Sequence, residues 1–181
     1  MTDTEQKVPF SATEPYRFCP ADGTRVEVPK HEGGGARCPL CGRSWYRSSA
    51  PAVGAAIVRD GRALVAVRAH EPEKGRFDLP GGFLEVGEHP ADGLVREARE
   101  ELGVKIEVIG GPILLATFIY GADGEYGLAI GFEARIVEGE PQPADDVAEI
   151  RWVSAEELDS LDFAWTHDRE LVRAALTRGG V

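Results

Sequence analysis

The run Arg96-Glu97-Ala98-Arg99-Glu100-Glu101 sets three carboxylates at i, i+3 and i+4. At about 100° per residue a helix would put Glu97, Glu100 and Glu101 on one face, roughly 5–6 Å apart. Carboxylates held that closely repel one another unless a cation sits among them. A row of acids can also be a solvated helix face, and the segment in front of this one decides against that. Gly81-Gly82-Phe83-Leu84-Glu85-Val86-Gly87-Glu88 brings three glycines and two more acids to the start of the same helix. Glycine lets a ligand approach the backbone closely, and the N–H groups of a helix start favour phosphate. A cation among the acids beside a helix start that favours phosphate would suit chemistry on a polyanion.

Three cysteines form the second reactive set: Cys19, Cys38 and Cys41. An odd count does not make a disulfide framework. The spacing Cys38-Pro39-Leu40-Cys41 resembles half of a metal site instead.

The elements that must carry these residues follow from the pattern. Residues 1–13 are polar and aperiodic and are expected to be a mobile lead. Residues 14–48 are rich in glycine, proline and cysteine, too small to bury a core of their own, and need a staple such as a metal. From residue 49 to 181 the texture is that of an ordinary domain. AVGAAIV and ALVAV flank an Asp60-Gly61 turn, a hairpin signal. Pro90 suits a helix first turn, Gly103 a helix C-terminus, and Ala91, Leu94, Val95, Ala98 and Leu102 gather on one helical face. VKIEVI, ILLATFIY, LAIGFEARIV and EIRWV are expected strands. Ser154 to Glu157 is a capping box, and a last helix is expected over about residues 165–178. Strands interleaved with helices predict an α/β (α+β) sandwich.

The 181 residues carry a net charge of −11, with 43% hydrophobic and 28% charged residues. That balance excludes broad attraction to nucleic acid or anionic membrane, so no direct nucleic-acid partner and no membrane are expected. A polyanionic substrate then needs local sign reversal, by a metal or by placed arginines. The first residues lack a basic and apolar leader, and no apolar run reaches the roughly 18 residues of a membrane span, so a cytoplasmic location is expected.

Gly82, five residues, Glu88, seven residues, then Arg96-Glu97-Ala98-Arg99-Glu100-Glu101-Leu102-Gly103-Val104 resembles the signature of the Nudix hydrolases, with Ala98 in an aliphatic slot as the one departure. The resemblance implies an α/β/α sandwich with a mixed sheet and hydrolysis of a nucleoside diphosphate linked to another moiety. It implies that Glu97, Glu100 and Glu101 hold Mg²⁺ or Mn²⁺, with the carbonyl near Gly81 as a further ligand. Glu88 and Arg96 would pair to hold the loop, and Glu85 would be a weaker support. For the general base it offers an acid ahead of Trp152: Asp146 first, Glu149 close behind, with Glu125 an outside choice.

The front piece resembles the zinc ribbon that a subgroup of this family carries. Its second knuckle, Cys38-Pro39-Leu40-Cys41-Gly42, is complete, while the first, Cys19-Pro20-Ala21-Asp22-Gly23, has aspartate where a cysteine should stand. Zinc with Asp22 or His31 as fourth ligand, and a metal-free ribbon packed by Tyr16, Phe18 and Trp45, both remain open, as does self-association through this segment.

Arg76, Phe77, Gly82 and Tyr120 are the substrate-binding candidates. The SQPWPFP-type motif of NADH pyrophosphatases is absent, as is a proline of ADP-ribose pyrophosphatases. ADP-ribose or a related ADP-sugar is the expected substrate. A dinucleotide (NADH or a diadenosine polyphosphate) is the alternative, and a nucleotide-sensing domain without catalysis is the alternative of another class.

Overall fold

The structure, a computed structural model, describes residues 16–27, 35–122 and 124–178. The expected lead at residues 1–13 and the candidate ligand His31 lie outside the described residues. The chain forms two compact units. One runs to Ser49 and includes the hairpin tip Ile119–Tyr126; the other comprises Ala50–Phe118 and the chain from Gly127 onward.

In the front unit, β1 (Ala36–Arg37) pairs with β2 (Ser44–Trp45), Ala36 facing Trp45. Cys19, Val26, Ala36 and Cys38 form its buried hydrophobic cluster, with Tyr16 and Trp45 packed against them. Phe18, expected to pack there, is instead 59% exposed. It sits in a bridge with Arg25, where alternation turns its ring outward.

The main unit contains β3 (Ala50–Arg59), β4 (Arg62–Arg68), β5 (Phe77–Asp78), β6 (Gly81–Phe83), α1 (Pro90–Leu102), β7 (Lys105–Tyr120), β8 (Glu125–Glu138), β9 (Val147–Val153), α2 (Ala155–Leu158) and α3 (Thr166–Arg178). Asp60 at φ 52° and Gly61 at φ 72° close the β3–β4 hairpin as the turn signal predicts. The sheet order is β5-β4-β3-β8-β7, with β6 beside β3 and β9 beside β4. β3 runs parallel to β8, from Ala50 opposite Gly127 to Ile57 opposite Ala134, and antiparallel to β4 and β6, so the sheet is mixed.

Period-two alternation sends side chains of one strand into two cores. Val53, Ala55, Ile57 and Leu64 meet Leu94, Ala98 and Leu102 of α1. Ala56, Ala63 and Val65 meet Leu158 of α2 and Leu171, Val172 and Ala175 of α3. Helices therefore cover both faces of a mixed sheet, the expected α/β/α sandwich. Each fully buried leucine contributes about 1.5–3 kcal/mol by removal from water. Residues 105–120, expected as two strands, form one strand, β7, in which Gly110 takes φ 69°. No described helix is long and apolar enough to cross a membrane.

Candidate active site

Helix α1 begins where His89 accepts a hydrogen bond from the Ala91 N–H at 3.2 Å, has Pro90 in its first turn and ends at Gly103 in the left-handed region. Burial of Leu94, Ala98 and Leu102 to 1% exposure or less fixes its roll on the sheet. The three glutamates consequently differ. Glu100 is exposed, Glu97 half-buried, and Glu101, on the rim of the packed face, only 7% exposed.

The glycine loop lies against them. The Gly81 N–H donates to Glu101 Oε2 at 2.8 Å. Gly81 has φ 148°, and a Cβ there would stand 2.0 Å from the Val53 carbonyl oxygen. A Cβ on Gly82 would stand 2.6 Å from Glu97 Oε1. Gly81 is therefore required by contact with the β3 backbone, whereas a side chain at Gly82 would push the Glu97 carboxylate aside.

Arg96 ties the loop to the helix. Its Nε and Nη2 donate to Glu88 at 2.9 and 3.0 Å, its Nη1 to Glu97 at 2.9 Å and to Glu100 at 3.0 Å, and its Nη2 to the Phe83 carbonyl at 3.2 Å. Glu88 also accepts from the Glu85 N–H at 2.9 Å, while Glu85 itself is exposed. Arg96 and that N–H hold Glu88 down at about 2. Glu101 has no ion-pair partner among the described residues. Burial pushes its carboxyl up to about 8, the Gly81 N–H opposing and the charges of Glu97, Asp78 and Asp146 adding to the rise. Burial also raises Glu97. A cluster with one guanidinium for four acids is short of positive charge, and its carboxylate and carbonyl oxygens suit a hard divalent ion.

The base candidates are placed differently. Asp146 follows a segment pinned to the end of α1, where the Gln142 and Ala144 N–H groups donate to the Leu102 and Glu101 carbonyls. It is exposed, 3.9 Å from His70 Nε2, and its charge is felt at Glu101. Glu149 stands on β9 opposite Val67 and is held low by Arg151, 2.6 Å away.

Phe77 also faces Val67; it packs with Phe163 and lies under the Arg151 guanidinium, 5.3 Å from its ring centroid. Arg76 is engaged by Asp162 at 2.6 Å and Glu73 at 2.7 Å. Tyr120 falls in the other unit with the hairpin tip, as does Glu125, which pairs with Arg47 at 3.3 Å. A group not expected from the sequence surrounds Asp78, where Arg68 donates at 2.6 Å and Asp168 approaches from α3. A lone charge inside the apolar approach to Gly81 was its one visible sign.

In the front unit the ligand-type atoms of Cys19, Asp22, Cys38 and Cys41 all lie within 4.8 Å of one another. Cys19 Sγ is 3.7 Å from Cys41 Sγ, and Cys38 Sγ is 3.4 Å from Asp22 Oδ2. The two knuckles match: Gly23 and Gly42 sit at φ 75° and 74°, each donating its N–H to the first cysteine's carbonyl at 2.9 Å.

Residues 48–175 match the family model of the NUDIX domain, and the chain belongs to the Nudix family. It is 31% identical over 166 residues to the NAD-capped RNA hydrolase NudC of Pseudomonas aeruginosa, an alignment covering 90% of this chain and 56% of that protein. The chain thus spans little more than half the length of that relative. It is 33% identical over 120 residues to the ADP-ribose pyrophosphatase of Methanocaldococcus jannaschii, covering 65% of this chain and 69% of that one. Among solved structures, a NUDIX hydrolase from Nitrosomonas europaea shares the fold with a TM-score of 0.71 at 23% identity, over 91% of this chain and 94% of that one.

Proposed function

We propose that this protein is a divalent-metal-dependent pyrophosphohydrolase that cleaves a nucleoside diphosphate linked to another moiety. One observation carries the proposal: Glu97 lies against Gly82 and Glu101 against Gly81, on one glycine loop, with too little positive charge to balance them. Glu97, Glu100, Glu101 and the Gly81 carbonyl would hold Mg²⁺ or Mn²⁺. When bound, such an ion neutralises diphosphate charge and acts as a Lewis acid. Arg96 and Glu88 keep the loop closed on the helix, and Asp146, on the Glu101 side, is the assigned general base in preference to Glu149, which Arg151 occupies. Gly82, Arg76 and Phe77 are assigned to substrate contact. Neutralisation at the metal lets a chain of net charge −11 accept a polyanion.

ADP-ribose or a related ADP-sugar is the first substrate assignment, supported by the archaeal relative. A dinucleotide of the NAD type is the second, because the alignment with the NAD-capped RNA hydrolase extends over 90% of this chain. The acidic surface favours the small molecule over a capped RNA.

Cys19, Asp22, Cys38 and Cys41 would hold a structural zinc. Zn–S bonds of about 2.3 Å in a tetrahedron require S–S edges of about 3.7–3.8 Å, in line with the 3.7 Å separation of Cys19 and Cys41.

The test is incubation with Mg²⁺ or Mn²⁺ and ADP-ribose, NADH, diadenosine polyphosphates and nucleoside triphosphates, followed by assay for released mononucleotide. Release of AMP from ADP-ribose is expected. Silence across the whole panel with both metals would replace hydrolysis by nucleotide sensing.

A further inference from the structure

Beside the glutamate cluster lies a second set of acids for which the proposed reaction has no use. Asp78, at the end of β5, and Asp168, in the first turn of α3, come within hydrogen-bonding range of each other. Donors engage both oxygens of Asp78: Arg68 Nη1 reaches Oδ2 at 2.6 Å and the Leu79 N–H reaches Oδ1 at 2.7 Å. Asp168 is 6% exposed, and its Oδ2 is buried without a hydrogen-bonding partner. His167 Nε2 is 3.5 Å from Asp168 Oδ1, and burial lowers the pKa of that ring, which favours its neutral form. The other charged groups facing the pair are Arg68 from β4, Glu101 from α1 and, through His167, Glu170 from α3.

Two carboxylates in contact, one of them buried with a bare oxygen, are strongly unfavourable with a single guanidinium beside them. One proton removes the conflict. The protonated acid donates an O–H to its neighbour, a charge-assisted hydrogen bond, and the bare oxygen ceases to be an unpaired acceptor. Asp78, already the acceptor for Arg68 and Leu79, is the anion, and Asp168 carries the proton. Burial and the Asp78 charge raise Asp168 well above the ordinary carboxylate range.

We propose that Asp168 is a positioning residue held as a neutral carboxylic acid, whose O–H anchors Asp78 and through it the segment that presents the Gly81 N–H to Glu101. The chain of contacts is continuous: Asp168 to Asp78, Asp78 to the Leu79 N–H, the Pro80 carbonyl to the Ala55 N–H at 2.9 Å, and the Gly81 N–H to Glu101 at 2.8 Å. Helix α3 thereby shares in setting the metal site from across the sheet. The protonation of Asp168 stands independently of the metal-site reading; only its consequence for the glutamates rests on that reading.

The experiment compares metal-free wild type, Asp168→Asn and Asp168→Leu. Infrared spectra near neutral pH should show protonated-carboxyl absorption in wild type from both Glu101 and Asp168, of which Glu101→Gln removes one part and Asp168→Asn a separate part that Glu101→Gln leaves in place. An acid whose pKa rises on folding stabilises below the unfolded value and loses that contribution as pH rises, so from about pH 5 to about pH 9 the wild-type Tm should fall relative to Asp168→Asn. Mn²⁺ affinity should drop about tenfold in Asp168→Leu, which has no donor, and stay within about twofold in Asp168→Asn, whose amide N–H replaces the O–H. Absence of an Asp168-dependent band, a Tm difference that ignores pH, or undiminished Mn²⁺ binding by Asp168→Leu would each overturn the proposal. Failure of wild type to bind Mn²⁺ would strike the metal-site reading instead, and the infrared band would still decide the proton.

Discussion

Glu97, Glu100 and Glu101 project from a helix of 13 residues whose packed face is buried at Leu94, Ala98 and Leu102, whereas Cys19, Asp22, Cys38 and Cys41 rise from two turns around a core of four buried residues. The first cluster is positioned by hydrophobic packing that needs no ion. The second has almost no packing to position it, and two of its own ligand candidates, Cys19 and Cys38, make up half of that core. An ion should therefore act on the chemistry of one region and on the folding of the other.

The largest expected effect breaks the first region alone. Glu101→Gln or Glu100→Gln should lower kcat by roughly two orders of magnitude or more while the circular-dichroism melt stays cooperative. A near-normal rate in either variant would remove the glutamates from the assigned role. Next, Cys38→Ser or a strong chelator should open the front unit to proteolysis and leave the melt of the main unit in place. Elemental analysis should give about one zinc per chain in wild type, the stoichiometry of a four-ligand structural site. Less than about a tenth of a zinc per chain would return the front unit to a metal-free ribbon.

Smaller effects sharpen the contrast. Gly81→Ala places a Cβ against the backbone of β3 and should cost about 1–3 kcal/mol or more in denaturant unfolding. Gly82→Ala meets the movable Glu97 side chain instead, so it should weaken Mn²⁺ binding about tenfold with little change in Tm. The last is a pH effect. The Glu101 carboxyl rises from an ordinary 4.5 to about 8 on folding. Its contribution to stability is thus present below the lower value and lost as pH rises through the upper one. The metal-free protein should lose Tm over that window, Glu101→Gln should flatten the loss, and the stabilisation by Mg²⁺ should grow with pH.

Most of the helix site was legible in the sequence because it is local. Pro90, Gly103 and the spacing of the glutamates depend only on helical geometry, and the Glu88–Arg96 pair spans one loop. The unequal burial of the glutamates was not legible. It follows from the roll of α1 on β3, which depends on residues far away in sequence such as Ile57 and Phe132. Asp78 and Asp168 illustrate the same limit more sharply, since nothing in either neighbourhood announces that β5 and α3 meet. In the front unit the cysteine spacing was clear, but periodicity could not show that the Phe18 side chain points outward.

The account turns on whether the three glutamates hold the metal, and Mn²⁺ binding to the metal-free protein tests that without any assumption about substrate. Free Mn²⁺ measured by electron paramagnetic resonance should show a site on wild type that tightens from about pH 7 to about pH 9 as Glu101 ionises. In Glu101→Gln the same site should be weaker by at least about tenfold and insensitive to pH over that range. Equal affinity in the two proteins, with the same pH dependence, would contradict the claim.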